Sequence, residues 1–271
     1  MDTLTLFDSQ ASLRLNIADQ MARMGIPPKT IHHEVGPGQN EIELVVREVL
    51  AQCDNTQTTK LIAKQNAHAA GILCTFMPKP FLGQAGSGMH IHQILMRDEE
   101  NVFAGNEREV SDTLRYYVGG ILAHVDEITA ITNPTTNSYK RLVPGHEAPV
   151  YKSWGVANRT ALLRVPGYEN KARIEFRATD GATNIYLASA LLLAAGIDGI
   201  TSQIEPNDPT TANVEQFTEQ ERADLGIGTL PSSLGAALDV LDRGSFARSI
   251  LGDGITDAFL AAKRQSTGRS C

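Results

Sequence analysis

Arg173-Ile174-Glu175-Phe176-Arg177 alternates charge with apolar bulk for five residues. Successive side chains of an extended strand point to opposite faces. Arg173, Glu175 and Arg177 therefore share one face, and Ile174 and Phe176 share the other. The stretch reads as a strand with its apolar side in a core, whose three charges need either solvent or a polar site. Just upstream, residues 161–165 read as another strand, and residues 186–200 downstream as a buried helix.

Toward the N-terminus, Leu13, Ile17, Met21 and Met24 recur at helical spacing, and Gly25 and Pro27 stop the helix. Residues 30–35 read as a short strand, Gly36-Pro37-Gly38 as a turn, and Ile42, Leu44 and Val46 as the apolar face of a returning strand. A helix over 49–70 ends at Gly71. A strand over 72–77 stops at Pro78, which with Pro80 flanks Lys79 and opens a loop. The glycine-rich segment 83–88 leads into Met89-His90-Ile91-His92-Gln93, where His90 and His92 face one way. Leu114, Val118, Ile121 and Leu122 mark a helix closed by Asn133-Pro134, and a polar loop runs from there to Pro149. The last third is helical with polar loops. Strands and helices mix without a βαβ rhythm, so the fold class is α+β rather than a doubly wound sheet.

Composition narrows the function. The 271 residues, 42% hydrophobic and 20% charged, suit a globular protein with a large core. A net charge of −7 with no basic block argues against a nucleic-acid partner. Cys53, Cys74 and Cys271 form no Cys-x-x-Cys pair, which fits a reducing compartment without disulfides or a cysteine zinc site. Met1-Asp2-Thr3-Leu4 opens no signal pattern, and the longest apolar stretch, 186–195, is short for a membrane span. A soluble cytoplasmic protein without a membrane partner is the expectation. No Walker A loop or Rossmann fingerprint is present.

Three groups of residues suit chemistry. Glu34 and Glu41 bracket the Gly-Pro-Gly turn, and converging carboxylates repel unless a hard cation such as magnesium or manganese lies between them. Ordinary surface acids on a solvated hairpin are the plainer reading. His90 and His92 suit a metal or a nucleotide, although half-buried histidines are common. The Gly86-Ser87-Gly88 loop either lets backbone approach a ligand or merely turns. Arg141, Arg159 and Arg164, with Arg173 and Arg177, suit phosphoryl transfer, where positive groups neutralise charge spread over phosphate oxygens. A surface salt-bridge face is the alternative, and taken singly each group is better explained structurally.

Together, however, the ordered segments resemble one family. His32-His33-Glu34-Val35-Gly36-Pro37-Gly38-Gln39-Asn40-Glu41-Ile42 resembles the glutamine synthetase motif around two metal-binding glutamates. Lys79-Pro80 and Gly86-Ser87-Gly88-Met89-His90-Ile91-His92-Gln93 resemble its glycine loop and metal-binding histidine. Asn133-Pro134-Thr135-Thr136-Asn137-Ser138-Tyr139-Lys140-Arg141, continuing through Gly145-His146-Glu147-Ala148-Pro149, resembles its substrate and flap signature. Asn158-Arg159, Leu163-Arg164-Val165-Pro166 and Arg173–Arg177 follow in the family's order. The resemblance implies an incomplete catalytic domain with a curved, largely antiparallel sheet packed with helices. It also implies ATP-dependent ligation of ammonia to the γ-carboxylate of glutamate through a γ-glutamyl phosphate. A pair of Mg²⁺ or Mn²⁺ ions would serve as cofactor, in a cytoplasmic homo-oligomeric ring.

Residue by residue, the resemblance assigns Glu34 and Glu41 to one metal, and His90 and Glu175 to the other. Gly86 and Arg141 would bind the amino and α-carboxylate groups of glutamate. Arg159 and Arg177 would contact its side-chain carboxylate or the transferring phosphoryl group. Arg164, Arg173 and His92 would face ATP, and Glu147 would sit on a flap that excludes water. Glu147, Arg159 and Arg177 are thus the catalytic candidates.

Departures sharpen the choice of acceptor. Ala85 stands where the family usually carries asparagine, His146 where an aromatic is more usual, and Ile185 where proline is expected. They keep open a γ-glutamyl ligase for a polyamine or another amine. An inactive fragment or a non-catalytic structural relative is the alternative of another class. No tyrosine lies near Asn213-Val214-Glu215, where some bacterial relatives are adenylylated. The family's small N-terminal β-grasp-like domain and its Glu-x-Glu strand find no counterpart here. Residues 1–264 are thus expected to be a partial catalytic domain and 265–271 a tail unlike the family. The isolated chain is accordingly expected to bind metal weakly and to show little ligase activity.

Overall fold

The computed structural model describes residues 8, 10–105, 109–145 and 148–267. The chain divides into two compact units, one ending at Ser87 and one beginning at Gly88.

The first unit starts with helix α1 (Ala11–Arg23), followed by strand β1 (Pro28–His33), strand β2 (Asn40–Leu44) and helix α2 (Val49–Ala69). The α1 stripe buries Ile17 and Met21 against Ile26, Ile62 and Ala63, with Ile42, Leu44, Cys74 and Phe76 packed around them. Glu48 caps α2, its carboxylate accepting from the backbone N–H groups of Leu50 and Ala51. β1 and β2 pair antiparallel, with His32 opposite Glu41 and Ile31 opposite Ile42.

The strand expected over 72–77 does not form. Its alternation is real, since Cys74 and Phe76 turn toward the core while Leu73 is 90% exposed. A strand also needs a neighbour for its N–H and C=O groups. Among the described residues none pairs with this segment, and it continues from α2 with Ile72 N–H donating to Ala67 O at 2.9 Å.

The second unit opens with strand β3 (Ile91–Gln93) and the short hairpin β4 (Met96–Arg97) and β5 (Glu100–Asn101). Helices α3 (Asp112–Thr132) and α4 (Ser138–Arg141) precede strands β6 (Trp154–Val156), β7 (Leu163–Val165) and β8 (Ile174–Phe176). Helix α5 (Ile185–Ser202) follows, then α6 (Glu219–Asp224), α7 (Leu234–Arg243), α8 (Phe246–Leu251) and α9 (Asp253–Thr267). The sheet order is β3-β8-β7-β6, with β8 antiparallel to both neighbours and β6 parallel to β7. Ile174 and Phe176 are fully buried, and their core also takes in Tyr117, Ile121, Leu163 and Leu191.

One local expectation changes, and two features had no mark in the sequence. The loop expected to reach Pro149 contains α4. β6, unmarked in the sequence, hydrogen-bonds to β7. α9 runs to Thr267, three residues past Arg264. α5 is also longer than the apolar stretch suggested: its 18 residues have the length and apolarity of a membrane-spanning helix. Leu191, Leu192 and Ala195 are nevertheless fully buried in the protein core.

Candidate functional site

In the first unit, β-pairing sets His32 opposite Glu41, and Glu34 follows directly after β1. Residues two apart share a face, and directly opposed residues point the same way. Their donor atoms all lie within 4.8 Å of one another. Partial burial and the hydrogen bond with Glu34 raise the pKa of Glu41. Two carboxylates and an imidazole at this spacing fit a divalent cation, whose charge would relieve that repulsion. Glu34 and Glu41, singled out by sequence, are brought together; His32 was not among the expected ligands. The period-two rule applied to Glu34 would have found it.

The turn is built to hold this spacing. Gln39 Oε1 accepts from Gly36 N–H at 2.9 Å, and Gln39 Nε2 donates to Gly86 O at 2.8 Å. Lys79, buried, donates to Gln84 O at 2.5 Å, and Ser87 N–H donates to Pro78 O at 2.8 Å. The glycine loop around Gly86 is thus pinned by side chains at both ends.

In the second unit the charged face of β8 becomes a connected network around Glu175, which is 2% exposed. Arg164 Nη1 donates to its Oε2 at 2.7 Å, Arg177 Nη1 to its Oε1 at 2.8 Å, and His90 Nδ1 lies 3.1 Å from Oε1. The strand register explains this, since Arg164 and His92 are the cross-strand partners of Glu175 on either side. Burial works to raise the pKa of Glu175, but the His90 hydrogen bond and the charges of His90 and Arg177 hold it well below the usual carboxylate range. Desolvation lowers the pKa of His90, although Glu175 pulls the other way. Neutral imidazole is the ligand form. His90 and Glu175 are close enough to share one cation, which would compete with the two guanidinium groups for the carboxylate. Arg173 Nε donates to His92 Nδ1 at 3.1 Å, pairing two residues expected near the nucleotide.

Arg141 lies behind this face, 4% exposed. Its Nη1 donates to Ala178 O at 2.6 Å and Thr179 O at 3.3 Å, and its Nη2 to Arg177 O at 3.0 Å. Burial lowers its pKa to about 10, so it stays charged at neutral pH. Asp180, fully buried, accepts from Asn133 Nδ2 at 3.0 Å and from Ala182 N–H at 2.9 Å. Burial outweighs those bonds and raises its pKa. Sequence reasoning missed Asp180, because no local pattern marks an acid whose partners come from α3 and its own turn. Arg159 is exposed and makes no hydrogen bond or ion pair among the described residues; Asn158 beside it is tied down by Thr210 and Ala212. Glu147 lies outside the described residues.

Gly88 belongs to this arrangement for a spatial reason. A Cβ there would lie 2.5 Å from Arg141 Nη2 and 3.3 Å from His90 Nε2. The Arg141 guanidinium is held by three carbonyls and cannot swing aside freely. Gly88→Ala should therefore destabilise the fold by about 1–3 kcal/mol, the usual range for overpacking. Chemical denaturation would measure it, and an unchanged midpoint would show that Arg141 gives way.

A family model described as glutamine synthetase, catalytic domain, matches residues 3–269. The glutamine synthetase of Pyrococcus abyssi is 47% identical over 97% of this chain and 60% of its own length. That of Thermotoga maritima is 47% identical over 92% of the chain and 58% of its own. The chain thus spans about 60% of the length of the curated relatives it matches. Among solved structures, a GmaS/ADP complex superposes with a TM-score of 0.87 at 32% identity, covering 97% of this chain and 62% of that one. GmaS without ligand gives 0.83 at 31%, covering 96% of this chain and 59% of that one.

Proposed function

This chain belongs to the glutamine synthetase catalytic-domain family, and from that premise we propose that it is the ligase core of an enzyme joining ammonia to the γ-carboxylate of glutamate at the expense of ATP. The observation that carries the reading is the Glu175 network, which sets Arg164, Arg177 and His90 around one buried carboxylate. Arg177 and the exposed Arg159 supply positive charge for the equatorial oxygens of a transferring phosphoryl group. Arg164 and the Arg173–His92 pair supply donors for the rest of the triphosphate. Glu34 and Glu41 would hold one divalent ion, and His90 with Glu175 a second. Bound Mg²⁺ or Mn²⁺ would supply Lewis-acid stabilisation of phosphate charge.

Arg141 and the Gly86 backbone would orient the α-carboxylate and amino groups of glutamate, leaving its γ-carboxylate toward the arginines. Glu147 would help exclude water from the acyl phosphate until ammonia displaces phosphate. The whole protein would act as a cytoplasmic homo-oligomeric ring. Ala85 keeps a larger amine as the runner-up acceptor, but the glutamine synthetase names of relatives at 47% identity favour ammonia.

The test is oxygen transfer. The chain would be assayed alone and fused to the residues that precede the matched region in the Pyrococcus abyssi relative. With glutamate labelled with ¹⁸O in its γ-carboxylate, ATP and ammonium, the fused protein should release phosphate carrying ¹⁸O, because γ-glutamyl phosphate leaves one carboxylate oxygen on phosphate. Phosphate release that ignores glutamate, or that carries no label, would refute the reading.

A further inference from the structure

The ligand sets that the family resemblance implies leave His32 out, yet it occupies a ligand's position. It stands opposite Glu41 in the hairpin register and two residues before Glu34, which follows β1, and the donor atoms of all three lie within 4.8 Å of one another. Its Nδ1 lies 3.2 Å from the backbone oxygen of His33, so an Nδ1–H donating there leaves the lone pair on Nε2. That second bond is the feature that fixes ring and tautomer in most metal-ligating histidines. Nε2 is 3.9 Å from Glu41 Oε1. Two donors about 2.1 Å from one ion can lie at most about 4.2 Å apart, so this separation admits a shared ion. His33, by the same period, points to the opposite face.

We infer that His32 is a third protein donor, through Nε2, to the ion held by Glu34 and Glu41. This rests on the reading of the hairpin as a metal site and goes beyond it in naming the ligand set and the metal class. Carboxylates alone suit Mg²⁺, whereas an added imidazole shifts preference toward Mn²⁺, Co²⁺ or Zn²⁺. All three donors come from a ten-residue hairpin, His32 and Glu41 from its strands and Glu34 from the residue that follows β1.

Two measurements on the purified chain test this. Electron spin echo spectroscopy of bound Mn²⁺, with His90→Gln present throughout to remove the other metal-pair imidazole, should show ¹⁴N coupling that His32→Gln abolishes and His33→Gln leaves. In the same His90→Gln background, His32→Gln should lower the preference for Co²⁺ over Mg²⁺ about tenfold, while His33→Gln does not. Retained coupling, or an unchanged metal preference, in the His32 variant would overturn the inference. Glu34→Gln separates the two levels. If it abolishes binding while His32→Gln changes nothing, only the role of His32 falls. If the His90→Gln chain binds no ion, or Glu34→Gln in that background leaves binding intact, the metal-site reading falls with it.

Discussion

Replacing Glu175 with alanine should destabilise the second unit by about 3 kcal/mol, the low end of the range for removing one partner from a buried ion pair. The magnitude follows from what is left behind. The Glu175 side chain is 3% exposed, and those of Arg164 and Arg177 are 20% and 11% exposed. Without the carboxylate, two guanidinium groups face each other with little access to water. Their remaining exposure lets them recover some hydration, which keeps the cost near the bottom of the range. Glu175→Gln retains an acceptor of the same shape and should fall between the two.

The same network gives a pH dependence with a definite sign. Because the folded-state pKa of Glu175 is depressed, its contribution is fully present above the unfolded value of about 4.3 and is lost as pH falls toward the folded one. Urea midpoints of the parent and of Glu175→Gln should therefore differ most above about pH 4.3 and converge below it. A constant gap across that range would show that packing, not charge, accounts for the loss.

This network was partly legible in the sequence, and what stayed hidden has a physical reason. Period-two alternation is local, so Arg173, Glu175 and Arg177 could be placed on one face from five residues. The two carboxylates around Gly36-Pro37-Gly38 were legible because a tight turn returns the chain upon itself. Partners that depend on register were not: nothing near Arg164 says that β7 lies beside β8, or that His92 lies on its other side. β6 is three residues with a glycine at its centre, too short for any periodic signal. The segment 72–77 failed in the opposite way, since its pattern reports which residues face the core but not whether a neighbour completes the ladder. Arg141 shows the deepest limit. Its sequence context marked a ligand-binding arginine, whereas its cradle of Arg177, Ala178 and Thr179 carbonyls exists only once β8 and α4 are packed.

Gly120→Ala should be among the most disruptive single methyls in the second unit. A Cβ at Gly120 would lie 2.0 Å from Ala195 O and 2.6 Å from Gly199 N, and one at Gly199 would lie 2.1 Å from Tyr116 O. These are backbone atoms of α3 and α5, so no rotamer change relieves the clash and the helices must separate. Alanine gains about 1 kcal/mol in helix propensity over glycine. Separation opposes that gain by loosening the fully buried Tyr117, Ile121, Leu191 and Ala195. A net loss of about 3 kcal/mol, at the upper end of the overpacking range, corresponds to a Tm lower by about 6–12 °C. The displacement should also reach the charged face, because Asn133 caps α3 and donates to both Ala178 O and Asp180. Those contacts adjoin the carbonyls that hold Arg141, so ligand affinity should fall with stability. Gly254→Ala is the matched control: it lies in α9, with nothing within 4 Å of its added carbon. It should be neutral or slightly stabilising. Equal melting temperatures for the two variants would mean that α3 and α5 can part at that crossing without loss, and that glycine is not what brings them together.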